Sequence, residues 1–217
     1  MRIDVLNRLA RAWRATKIYW RYRHLARRGV WDQYISDSTN VRRRTLASQA
    51  KSLNIRSVFE FGCGSGPNLL ALRNEFEDGG SLELFGFDVS KEAIRSLDDA
   101  GVTGIFRSGN FDGPGQLDFL PESLDLVILD RVCYLLNDRE FAALLNEICL
   151  RAEWVYINDF SDNVVPEVAD YRVRNYRMEL SKHDFTLANS EAVMNKTSGT
   201  DFFSKYSKEL WFKRSSP

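Results

Sequence analysis

Seven consecutive residues, Glu60-Phe61-Gly62-Cys63-Gly64-Ser65-Gly66, concentrate the chemistry this sequence can do. Three alternating glycines let a backbone turn tightly and bring its N–H groups close to a ligand with no Cβ in the way. Ser57–Phe61 before them reads as a buried strand, and Pro67 after them opens a helix, where a missing N–H costs nothing. Asp88 stands 22 positions beyond Gly66, at the end of the next strand. A carboxylate there can accept charge-assisted hydrogen bonds from two neighbouring hydroxyls, such as those of a ribose. Glu60, two residues before the first glycine, adds a second acid. The spacing is GxGxG, with Pro67 where a dinucleotide fingerprint places its third glycine. No GxxxxGKS or GxxxxGKT occurs, which excludes the P-loop reading.

Further candidates lie at strand ends. Asp130 closes the apolar run Leu124–Leu129, and Asp159 follows Trp154–Ile157; ligands of open α/β sheets bind outside such carboxyl ends. Val89 adjoins Asp88, and Asn110-Phe111 sit in the loop Ser108–Asp112. Of the two histidines, His24 and His183, His183 follows the fifth strand and is a candidate general base beside Asp159. Cys63, Cys133 and Cys149 form no CxxC pair and no zinc pattern with either histidine, so reduced thiols and no metal site are expected.

These positions need a scaffold, and the pattern supplies one. Helices are expected over Val5–Leu25 and Asn40–Leu53. Strand and helix then alternate about five times, through Ser57–Phe61, Leu82–Phe87, Gly104–Phe106, Leu124–Leu129 and Trp154–Ile157, as in a parallel sheet with helices on both faces. The tail reads as two strands, Phe185–Val193 and Tyr206–Lys213, whose connection is too short for a crossover helix, so they pair antiparallel. The expected fold is a three-layer α/β sandwich with a mostly parallel seven-stranded sheet. Its last strand is antiparallel in a C-terminal hairpin, and a helical extension precedes it.

With these motifs in order, the chain resembles the class I methyltransferase family. Glu60-x-Gly62-x-Gly64-x-Gly66 is similar to that family's first motif, and Asp88 to its ribose-binding acid. Ser108-Gly109-Asn110-Phe111 resembles the loop that reaches the adenine amino group, with Asn110 where Asp is commoner. Ser123–Val127 resembles the strand bordering the methionine end of the cofactor. The resemblance implies S-adenosyl-L-methionine as cofactor, held by Glu60, Gly62, Gly64, Gly66, Asp88, Val89, Asn110, Phe111 and Asp130. Asp130-Arg131-Val132-Cys133 stands where the DNA- and glutamine-directed amino methyltransferases carry Asn-Pro-Pro-aromatic. The basic-aromatic segment Tyr171–Arg177, with Trp31, Tyr34-Ile35 and Asn68-Leu69, is loosely similar to methyltransferases of sugar and surface-polysaccharide biosynthesis. O-methylation of a small-molecule or sugar-type acceptor is therefore expected; the alternatives are a methyltransferase acting on RNA or protein, or a catalytically silent S-adenosylmethionine-binding adaptor.

At 217 residues the chain suits one domain with an extension, and 44% hydrophobic content suffices for one core. No apolar run approaches the roughly 20 residues a membrane span needs, and no secretory signal is evident, so a cytoplasmic protein is expected. Overall charge is balanced, yet residues 1–44 carry twelve Lys/Arg against three Asp, leaving the remainder correspondingly acidic. The expected division is a basic amphipathic extension, 1–44, and a cofactor-binding domain, 45–217. Residues 1–28 could dock on the acidic body or touch an anionic membrane peripherally; the acidic remainder argues against nucleic acid as partner.

Overall fold

The computed structural model of the chain describes residues 13, 16–26, 40–76, 81–161, 171–188 and 207–215. Its elements, in chain order, begin with α1 (Lys17–Ala26), α2 (Val41–Ser52), β1 (Ser57–Phe61), α3 (Pro67–Phe76) and β2 (Glu83–Asp88). They continue with α4 (Lys91–Asp99), β3 (Ile105–Ser108), β4 (Leu124–Asp130), a 3₁₀ turn (Cys133–Leu135), α5 (Asp138–Cys149) and β5 (Ala152–Phe160). The last are α6 (Tyr176–Ser181), β6 (Phe185–Leu187) and β7 (Ser207–Arg214). Seven strands form one sheet in the order β3-β2-β1-β4-β5-β7-β6. The first five run parallel, while β7 is antiparallel to both β5 and β6.

Local chemistry sets the boundaries. Asn40 caps α2 by accepting from the Arg42 N–H, and Ser90 caps α4 through the Ala93 N–H. Asn137 and Glu140 form a reciprocal capping box at α5. β3 falls one to two residues later than its expected span. β6 closes at Leu187, and residues 189–206, which hold the rest of the expected strand and the hairpin loop, lie outside the described residues. The first half of the helix expected over Val5–Leu25 does so as well; its described part is α1.

Alternation along each strand divides the core. Phe59, Phe61, Val127, Leu129, Val155 and Ile157 pack on one face with Phe141, Leu144 and Ile148 of α5. Val58, Leu126, Ile128, Tyr156 and Trp211 pack on the other, under α2, α3 and Leu97 of α4. These layers make the expected three-layer sandwich. α2 spans the boundary expected at residue 44, so its first turn packs with the sheet. No described helix is long and apolar enough to cross a membrane.

Candidate functional site

A cavity of about 390 Å³ opens at the carboxyl ends of the parallel strands. The chain segments leaving β1, β2 and β4 all contribute to it, as does the loop after β3. Of the residues singled out in the sequence, Glu60, Gly62, Gly64, Asp88, Val89, Phe111 and Asp130 line it.

The glycine turn owes its shape to positive φ at Gly62, Gly64 and Gly66. At Gly62 an added Cβ would lie 2.5 Å from Val132 Cγ2, so the segment after β4 can close over the turn only because no side chain is there. At Gly64, with φ 55°, a Cβ would meet nothing within 4 Å and would stand in open space on the cavity wall. Gly66 lies behind the wall, against Leu97.

Asp88 holds this turn in place. Its Oδ2 accepts from the Gly64 N–H at 2.9 Å and its Oδ1 from the Ser90 N–H at 2.8 Å. Burial pushes its carboxyl up to about 6, opposed by the N–H groups of Ser90, Gly64 and Val89. Nearby, Phe61 stacks on Phe87 with ring centroids 5.5 Å apart, and Phe111 meets Phe61 edge-on at 5.2 Å. Phe87 and Phe111, which meet edge-on with centroids 6.3 Å apart, thereby form an apolar wall of the cavity beside the Asp88 carboxyl.

The floor is polar and buried. Glu60, Asp130, Asn158 and Tyr156 share one sheet face because each lies an even number of residues from its neighbour on the strand, or across the ladder from it. The Asn68 Nδ2 donates to Glu60 Oε1 at 2.7 Å and to Asp130 Oδ2 at 2.8 Å. Asn158 donates to Asp130 Oδ1 at 2.8 Å. Arg42 pairs with Asp130 at 2.9 Å, and its guanidinium also reaches the Tyr156 hydroxyl at 3.5 Å. Arg43 Nε donates to Asn68 Oδ1 at 3.0 Å. Burial alone would raise the Asp130 carboxyl, but Arg42, then Arg131, Asn68 and Arg43 hold it well below the usual carboxylate range. Glu60 goes the opposite way, to about 8, through burial and the Asp130 charge. Its Oε2 is buried without a hydrogen-bond partner among the described residues.

Three expectations change. Asp159 faces the opposite side of the sheet from its neighbour Asn158, and it does not line the cavity. Its Oδ2 accepts from the N–H of Cys133 at 2.7 Å and of Tyr134 at 3.4 Å, and its Oδ1 from Phe160 at 2.8 Å. Burial pushes this carboxyl up to about 7. It pins the segment after β4 through the Cys133 and Tyr134 N–H groups. His183 precedes β6, whose Phe185 pairs with Arg214 beside the amino end of β5. That is the edge of the sheet remote from the cavity, because β6 runs parallel to β5. Asn110 is exposed and does not line the cavity, although Gly109 and Phe111 on either side do.

Residues beyond the sequence-predicted site set also shape the cavity. Arg174 grips the segment after β4 from outside, donating to the carbonyls of Cys133 and Leu136 at 2.7 Å each. Arg131 follows β4 with φ 56°, a left-handed conformation uncommon outside glycine. From α1, Lys17 and Trp20 reach the cavity: Lys17 Nζ donates to the Phe111 carbonyl at 2.9 Å and pairs with Glu140 at 2.7 Å. The Trp20 indole donates to the Tyr134 hydroxyl. The signal for Arg42 and Arg43 was the run of arginines in the first turn of a capped helix, where the dipole disfavours cations.

Residues 58–152 match the family model described as a methyltransferase domain. The fold is similar to that of magnesium protoporphyrin IX methyltransferase from Synechocystis PCC 6803 with bound S-adenosylhomocysteine, at TM-score 0.60 and 15% identity over 84% of this chain and 86% of that one. It is also similar to human N-acetylserotonin methyltransferase in complex with S-adenosylmethionine, at TM-score 0.56 and 17% identity over 93% of this chain and 57% of that one. No curated protein matches the sequence.

Proposed function

From the premise that this chain is a class I S-adenosylmethionine-dependent methyltransferase, we propose that it methylates an oxygen of a small polar or sugar-type acceptor. The residues present fit the cofactor. Asp88 offers a carboxyl for the ribose diol, Phe87 and Phe111 offer an apolar wall for the adenine, and Glu60 Oε2, buried with no described hydrogen-bond partner, offers an acceptor for a cationic group. The open space at Gly64 leaves the backbone accessible to the ligand. When bound, S-adenosylmethionine supplies a methyl group on a sulfonium for in-line displacement.

The acceptor reading rests on one observation: the cavity continues from the glycine turn to a wall where Trp20 and Tyr134 stand beside Lys17 and Arg131. Aromatic faces pack against the apolar side of a small ring, while the cations bond its hydroxyls. Leu135 and Leu136 complete this wall and exclude water. The cavity's carboxylates, Glu60, Asp88 and Asp130, belong to the cofactor side, and no histidine is among its described lining residues. The chain therefore contributes alignment, and Arg131 and Lys17 lower the cost of negative charge on the acceptor oxygen.

The test is transfer of a labelled methyl group from S-adenosylmethionine to separated pools of small metabolites, RNA and protein. The expected label is in a small polar product. Label confined to RNA or protein would refute the reading, and cofactor binding without transfer to any pool would indicate a silent binder. We also propose that any lipid contact of residues 1–28 uses arginines away from the Lys17–Trp20 face, which α1 turns toward the cavity. Salt-sensitive binding to anionic vesicles would support it, and salt-insensitive or absent binding would end it.

A further inference from the structure

We propose that Asp159 and Arg174 are positioning residues for methyl transfer: from its two ends they fix the turn Cys133–Leu136, which presents Tyr134, Leu135 and Leu136 to the acceptor side of the cavity. This deepens the acceptor reading above and rests on it.

The turn after β4 has little local means of holding its shape. Its 3₁₀ portion, Cys133–Leu135, follows Val132, which makes no side-chain cap. So short a turn leaves backbone groups at both ends in need of partners. Side chains from distant parts of the chain supply them. Asp159 Oδ2 accepts from the N–H groups of Cys133 and Tyr134 at 2.7 and 3.4 Å. Arg174 Nη1 donates to the Cys133 carbonyl and its Nη2 to the Leu136 carbonyl, at 2.7 Å each. Carboxyl meets donors and guanidinium meets acceptors, the pairings that give the stronger hydrogen bonds.

Both groups are buried, Asp159 fully and Arg174 to 9% exposure, and burying them is costly. The Arg174–Asp138 pair does not account for it, because that carboxylate is 99% exposed and such pairs are worth little. What the two residues supply is fixed backbone on one short segment. Packing acts in the same sense: the Arg174 guanidinium lies 4.4 Å from the centroid of the Phe141 ring. The Tyr134 ring meets those of Phe160 and Tyr171, with centroids 5.7 and 5.3 Å away. Neither Asp159 nor Arg174 lines the cavity, whereas Tyr134, Leu135 and Leu136 do. The pair therefore acts through the wall, keeping the acceptor's seat formed before the acceptor arrives. The cofactor side is held by other bonds, from Asp88 to the glycine turn and from Asn68 and Arg42 to Asp130.

Asp159→Asn and Arg174→Met in the full chain separate this role from general support of the fold. Hydrogen exchange over residues 131–137 should quicken by about tenfold or more in both variants, with residues 57–61 of β1 unchanged. Transfer of a labelled methyl group from S-adenosylmethionine to a small-metabolite extract should fall about ten- to a hundredfold at low extract. It should recover in large part as the extract is concentrated, because a bound acceptor reseats a loosened turn. Affinity for S-adenosylhomocysteine, read by calorimetry, should change by less than about threefold. Arg174→Lys should fall between, since it keeps the charge but not the fork that spans two carbonyls. Unchanged exchange over 131–137, a loss of transfer that is the same at every extract concentration, or an equal weakening of S-adenosylhomocysteine would overturn the proposal. If Arg174→Met does not fold, Asp159→Asn and Arg174→Lys carry the test by the same criteria. A wild-type chain that binds S-adenosylhomocysteine but labels nothing in the extract would instead sink the acceptor reading, and the proposal with it.

Discussion

Replacing Glu60 by Gln probes the buried floor of the site, because the two side chains match in size and differ in whether they can ionise. Burial first, and then the Asp130 charge, push the Glu60 carboxyl from 4.5 to about 8, with Asn68, Arg43 and Arg42 opposing. At pH 7 the folded chain therefore keeps a proton that the unfolded chain has released. An acid with a raised folded value works against the fold as pH climbs. The penalty is absent below 4.5, grows through the window from 4.5 to about 8, and is complete above it. At about 1.4 kcal/mol per pH step, the stretch from 4.5 to 7 amounts to about 3 kcal/mol. Gln carries none of this, and its Oε1 can still accept the Asn68 N–H that Glu60 Oε1 accepts at 2.7 Å. E60Q should thus exceed the wild type by up to about 3 kcal/mol at pH 7, or roughly 6–12 °C in Tm for a chain of this size. The gain should vanish toward pH 4.5. Binding of S-adenosylhomocysteine should weaken in the same variant, because an arriving ammonium can drive the proton off Glu60 whereas Gln cannot ionise. Thermal melts across about pH 4–8 and calorimetry read both effects. A variant less stable than the wild type at pH 7, or a gain that stays constant with pH, would refute the reasoning.

Asp88→Ala should weaken S-adenosylhomocysteine by about 1.5–3 kcal/mol, roughly ten- to a hundredfold, measured by calorimetry on the folded variant. Arg42→Met strands Asp130 as a buried charge without its closest cation, so urea unfolding should show a loss of about 3–5 kcal/mol. His183→Ala should leave cofactor affinity and turnover unchanged. Asp159→Ala should lower turnover and raise the acceptor KM through the segment after β4; equal effects of the two variants would contradict their placement.

The parts of this protein legible in its sequence are those fixed by neighbours along the chain. The Gly62–Gly66 turn between a strand and a proline-opened helix, and Asp88 at the next strand end, depend on local backbone chemistry. The strand–helix alternation and antiparallel tail follow from periodicity and loop length, which is why the sheet could be anticipated before any contact was known. Tertiary structure alone decided which side chains share a face and an edge. Arg42 meets Asp130 across 88 positions, and Arg43 meets Asn68 across 25, separations at which no residue pattern reports a contact. Asp159 and Asn158 are adjacent in sequence, yet the two-residue period of the strand sends one to the backbone of the 133–134 turn and the other to Asp130. His183 follows a strand that ends near the site, but the direction of β6 carries it to the far edge. The helix at Lys17–Ala26 reads as an amphipathic basic segment by its composition. Only the fold, by bringing the Phe111 carbonyl and Glu140 within reach of one ammonium group, turns part of it toward the cavity.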